Sequence, residues 1–119
     1  MSIPSTYVSP GDTFWCRARI CNPGAPLQNV PFFALLDIQV GEYWFYPTWK
    51  HYPPDIDYEL IPELPQGETE RIVIPEFYWP DTGNATYSPI LLYGALLNSD
   101  ITAIIGEFDV AQFAYGPKQ

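Results

Sequence analysis

The run Asp55-Ile56-Asp57-Tyr58-Glu59 sets a carboxylate at every second position, a spacing at which loop oxygens can hold calcium. Asp81 and Asn84 would add oxygens from a second loop. The glycine at the sixth position and the distant glutamate of an EF-hand are missing, which excludes that motif. On an edge strand the same alternation of acids is solvated and discourages pairing with another chain. The denser candidate is aromatic. Tyr43, Trp44, Phe45, Tyr46, Trp49 and Tyr52 lie close together, with Tyr78 and Trp79 further on. Aromatic rings stack on sugars and anchor protein interfaces because they bury much area at low entropic cost. Trp44, Tyr46, Trp49 and Tyr52 are therefore the binding candidates for a protein, with Trp44, Tyr46 and Trp49 the alternative platform for a glycan. The competing use of such rings is to plug a core.

Other reactive types are sparse. His51 is the only histidine, and no G-x-S-x-G elbow exposes a serine beside it. Carboxylate pairs such as Glu42 with Glu59, or Asp37 with Glu76, carry little information in a chain this rich in acids. No catalytic residue is expected. Arg17 and Arg19 share a strand face with Trp15, which suits a carboxylate-binding strip or a cation–π ladder. The plainer expectation is that both pair with acids on the neighbouring strand. Cys16 and Cys21 are five apart, so they fall on opposite faces of a strand and about 16 Å from each other when extended. That is beyond disulfide reach, so two free thiols are expected, Cys16 in the core and Cys21 near the strand end. Asn84-Ala85-Thr86 matches a glycosylation sequon in a loop.

Charge narrows the partners. Fourteen acids against five bases give a net charge of −9. That field repels nucleic acid and anionic membrane surfaces. No apolar run approaches the roughly 18 residues of a membrane span. The start, MSIPSTYVSPGD, lacks the basic residues and apolar stretch of a secretory signal.

The elements that must carry these residues are cut by fourteen prolines and eight glycines into short aromatic and β-branched runs. In 14–21, Phe14, Cys16, Ala18 and Ile20 alternate with Trp15, Arg17, Arg19 and Cys21, a half-buried strand between the Ser9-Pro10-Gly11-Asp12 and Asn22-Pro23-Gly24 turns. VPFFALLDI over 30–38 and ILLYGALL over 90–97 are almost continuously apolar, which predicts central strands. A turn at 39–42 returns 43–46 as a hairpin strand, the more exposed edge candidate. A loop covers 47–54, and a weaker strand runs over 57–61. In 70–74, Ile72 and Ile74 are expected to face inward. Ser99-Asp100 resembles a helix N-cap and Gly106 a helix end, which predicts one helical turn over 101–105. A last strand covers 107–115.

About seven short strands in a chain of 119 residues predict an all-β, immunoglobulin-like antiparallel β-sandwich, with a jelly roll or small barrel as the rival. The domain plan is an extended lead-in at 1–12, one sandwich over 13–116 and a tail at 117–119.

The segments PGDTFWCRARICNPG, VPFFALLDIQVGEYWFYPTW and LPQGETERIVIPEFYWPDTG give the chain its family likeness. It resembles bacterial adhesion-type immunoglobulin modules, the fibronectin type III and CARDB-like domains of secreted and cell-surface proteins. The resemblance implies a spacer, adhesive or assembly module outside the cell or at its surface, not an enzyme. The expected partner is protein, another copy of the chain or a neighbour in a parent chain. Association would run through an edge strand, the aromatic face or the extended arm at 1–10. No cofactor is expected, with calcium as the one alternative.

Overall fold

The computed structural model describes residues 1–81 and 86–117, with backbone alone at Gly106 and Glu107. It is all-β: nine strands in two sheets, mostly antiparallel, with no helix among the described residues. The strands are β1 (Tyr7–Val8), β2 (Thr13–Asn22), β3 (Leu27–Asp37), β4 (Tyr43–Phe45), β5 (Lys50–Tyr52), β6 (Glu59–Leu64), β7 (Gly67–Tyr78), β8 (Tyr87–Leu97) and β9 (Ile104–Tyr115). The large sheet runs β1-β9-β8-β3-β4-β5, with β6 on the first half of β3. The small sheet is β2 with β7. This arrangement is compatible with a β-sandwich, and β3 and β8 hold the central places their apolar runs predict.

Local chemistry explains the main turns. Gly11, at φ +87°, closes the turn in which Ser9 N donates to Asp12 Oδ2 and Asp12 N donates to Ser9 O. The left-handed backbone there suits a residue without Cβ. After β2, buried Asn22 donates to the carbonyls of Ala25 and Leu64 and accepts from Gly24 N, which ties the turn to β6.

The core lies between the sheets. Phe14, Cys16, Ala18 and Ile20 of β2 are all buried, as their alternation predicts. They meet Phe32, Ala34, Ile90, Leu92, Ala111 and Phe113 of the large sheet. The Phe14 and Phe113 ring centroids are 4.6 Å apart, with Trp79 at 5.7 Å from Phe14. Fully burying one such apolar side chain stabilises the fold by roughly 1.5–3 kcal/mol.

Three expectations are corrected. The stretch 101–105 forms no helical turn: it is the tip of the β8–β9 hairpin and the start of β9. In β7 Ile74 packs against the core opposite Cys16 as expected, but Ile72 is 58% exposed and Val73 is buried in its place. The register explains this: between Cys16↔Ile74 and Arg17↔Ile72 the strand β7 carries one extra residue, so Val73 and Ile74 both lie against buried Cys16 while Ile72 falls opposite the outward Arg17. The strand at 43–46 is not the edge, because Lys50–Tyr52 pairs with it, out of a stretch read as loop. The lead-in contributes a strand of its own. Tyr7–Val8 pairs in parallel with β9, and Ser2 bridges to Arg17.

Candidate functional site

Strand register builds the site row by row. One row crosses the large sheet as Lys50, Phe45, Leu35, Tyr93 and Val110. The next row on the same face is Tyr52, Tyr43, Asp37, Leu91 and Gln112. Between them, on the opposite face, lie His51, Trp44, Leu36, Leu92 and Ala111, of which Leu92 and Ala111 are buried in the core. Side chains alternate across a strand, so the first two rows point away from the core.

This outer face is apolar and ring-rich. Phe33 stacks on Tyr58 at 4.9 Å and contacts Phe45 edge-on at 6.3 Å. Tyr52 meets both Phe45 and Tyr43 at 6.1 Å, and Tyr93 meets Phe108 at 6.4 Å. Val110 is 45% exposed and Phe108 58%. The one carboxylate in these rows, Asp37, is buried and accepts from Gln39 N and Nε2. Lys50, at the β5 edge, is the only charge they expose among the described residues.

The four aromatic candidates do not share one surface. Tyr52 belongs to the outer face. Trp44 sits on the core side of the sheet and stacks on His51 at 5.1 Å. Tyr46 and Trp49 pack against the core, Tyr46 touching Phe32 at 5.8 Å and Trp49 at 6.1 Å. Tyr46 also donates to Glu59, whose other oxygen pairs with Arg71 at 3.7 Å, a link from β6 to β7. Burial, with the Glu59 charge and hydrogen bond, raises the Tyr46 pKa above the ordinary phenol value.

The acidic run is divided among separate partners. Asp57 accepts from Thr48 Oγ1 and N and from Tyr58 N. Desolvation pushes its pKa up, but these hydrogen bonds and Lys50 outweigh it and hold it below the ordinary carboxylate value. Glu59 is engaged by Tyr46 and Arg71, and Asp55 is exposed. Among the described residues no three His, Cys, Asp or Glu side chains converge as a metal cluster would. Asn84, and with it the sequon at Asn84-Ala85-Thr86, lies outside the described residues.

His51 Nε2 lies 3.2 Å from Glu42 across the β4–β5 hairpin. Arg17 and Arg19 face Glu70 and Glu68 on β7 at 3.8 and 3.9 Å, and Arg17 also covers the Trp15 ring at 4.5 Å. Exposed pairs of this kind add roughly 0–1 kcal/mol. Both thiols are free, Cys16 buried and Cys21 exposed.

Phe33, Leu35, Tyr93, Phe108 and Val110 are the face residues that sequence reasoning missed. The signal was present. Runs apolar at both parities, as in 30–38 and 90–97, belong to strands covered on both faces. Here the core covers one face of β3 and β8, and among the described residues no second sheet covers the other, where Tyr58 stacks on Phe33. Compared with protein-family models, with curated proteins and with solved structures, the chain matches none.

Proposed function

We propose that this chain is a non-enzymatic structural and interaction module of an extracellular or cell-surface protein, engaging its partner through the outer face of the large sheet. One observation carries the reading: three neighbouring strands present apolar and aromatic side chains there, and no exposed carboxylate enters the two register rows. With fourteen acids in the chain, that segregation is pronounced. Depletion of charge around aromatic anchors is the composition of an interface core. Contiguous exposed apolar surface on a folded domain marks interaction sites. The resemblance to adhesion-type modules points the same way, and it supplies the cellular setting.

Selection from a displayed random-peptide library tests the reading. Peptides enriched on the immobilised chain should be apolar or aromatic, and Val110→Glu should lose them at least about tenfold. Enriched peptides that bind Val110→Glu as well as they bind the parent chain would move the interaction surface elsewhere. A saturable tryptophan-fluorescence shift with a soluble glycan, unchanged in that variant, would do the same.

A further inference from the structure

We propose that the occupant of the outer face is a second copy of this chain, packed face to face about a two-fold axis. This inference rests on the interaction-surface reading above. Three observations select a copy over another partner.

The first is area. Five strands about 4.8 Å apart share two outer rows repeating about every 6.8 Å, and the longer β3, β8 and β9 run on beyond β4 and β5, for a flat footprint of ~500 Å². Two copies together would bury ~1,000 Å², the threshold for a specific contact and the size of a weak one. The Leu97↔Ile104 pair belongs to this footprint, where Ile104 is 51% exposed.

The second is charge. Each copy carries −9, so close approach is repulsive over most of the surface. In the two rows described, the outer face opposes no exposed carboxylate to its copy. A basic partner would be drawn elsewhere, to Glu63, Glu68, Glu70 and Glu76 around β6 and β7, which the face leaves out.

The third is self-complementarity. A two-fold contact sets the same patch against itself. A patch of rings and aliphatic side chains meets its copy without needing opposite charges, whereas a charged patch would not. The other outer surface, on β2 and β7, fails this requirement, because Arg17, Arg19, Glu68 and Glu70 stud it.

Light scattering and sedimentation over a dilution series test the proposal on the whole chain. The expected mass rises from 13.6 kDa toward twice that value, with the midpoint at about micromolar to hundreds of micromolar for an interface this small. Val110→Glu and Phe108→Glu, both at exposed positions, should each weaken the dimer at least about tenfold. Ile72→Glu adds the same charge to an exposed apolar site on β7 and should change it less than about threefold. Thermal melts identify variants that keep the fold. Concentration-dependent amide shifts in the unsubstituted chain give a second readout, expected on β3, β8 and β9 and absent from β2 and β7.

A single-chain mass up to about millimolar concentration would overturn the proposal. So would a dimer that Ile72→Glu weakens as much as Val110→Glu, or shifts centred on β2 and β7. Failure of the broader reading is distinguishable. A strict monomer that still selects face-dependent peptides loses the second copy and keeps the interaction surface. A monomer whose peptides ignore Val110→Glu loses both.

Discussion

Cys16 and Cys21 show how far single residues could be read. Their odd spacing on an alternating strand placed one thiol inside and one outside, because the period of two is set by backbone geometry. The environment of each follows. Burial of Cys16 pushes its pKa up to about 11, with the nearby amino terminus pulling down and Asp109 pushing up. Only the thiolate is nucleophilic, so at pH 8 one thiol per folded chain should react with a disulfide reagent, and a second only on unfolding. Two fast-reacting thiols in the folded chain would contradict the burial of Cys16. The same group makes stability pH-dependent. The unfolded thiol releases its proton near 9.0 and the folded one near 11. Between those values the folded state binds more protons, so stability falls as pH rises through that window. Cys16→Ala should flatten the decline of denaturation midpoint across it. Tyr46, also raised, adds to the decline with the same sign. The ring candidates were harder to place: which of Trp44, Tyr46, Trp49 and Tyr52 faces outward depends on the β4–β5 turn, a pairing composition does not encode.

At the scale of elements, most strands were legible and their irregularities were not. The alternation of β2 and the apolar runs of β3 and β8 fixed their faces and central places. The bulges in β7 were invisible, because an inserted residue is recognisable only against the partner strand. The tip of the β8–β9 hairpin was misread as a helical turn for a related reason. Asn98 Oδ1 accepts from Thr102 N and Ala103 N, and Asn98 Nδ2 donates to Thr102 Oγ1. A polar side chain satisfying backbone N–H groups ahead of an apolar run serves a helix start and a hairpin loop alike. Non-local pairing of β8 with β9 decides between them. The tip carries strain as a result: Ile101 sits at φ +57°, where a β-branched residue is costly by roughly 1 kcal/mol or more. Asparagine tolerates that conformation. Ile101→Asn should therefore stabilise the domain by about 0.5–1 kcal/mol and raise Tm by about 2–5 °C. A lower Tm would mean that Ile101, only 37% exposed, contributes more by packing than its backbone costs.

For the whole molecule, the all-β class was legible, while the site was half hidden. Apolar residues at both parities announced a sheet covered on two sides, yet only the register aligned Phe45, Leu35, Tyr93 and Val110 into one row. The consequence of that row depends on the field around it. Two chains of −9 make a dimer of −18, twice the single charge, so assembly brings like charge together even though the contact is apolar. Raising salt from about 10 to about 150 mM shortens the screening length from roughly 30 to roughly 8 Å, below the span of the molecule. Repulsion between carboxylates outside the contact then fades, while burial of the apolar rows is little affected. The dimer dissociation constant should fall several-fold over that range, measured by sedimentation at fixed pH. An interface held by Arg17–Glu70-type pairs between copies would respond with the opposite sign, because the same salt screens attraction. The direction of the salt effect therefore separates an apolar contact on the large sheet from a charged one on the small sheet without any substitution.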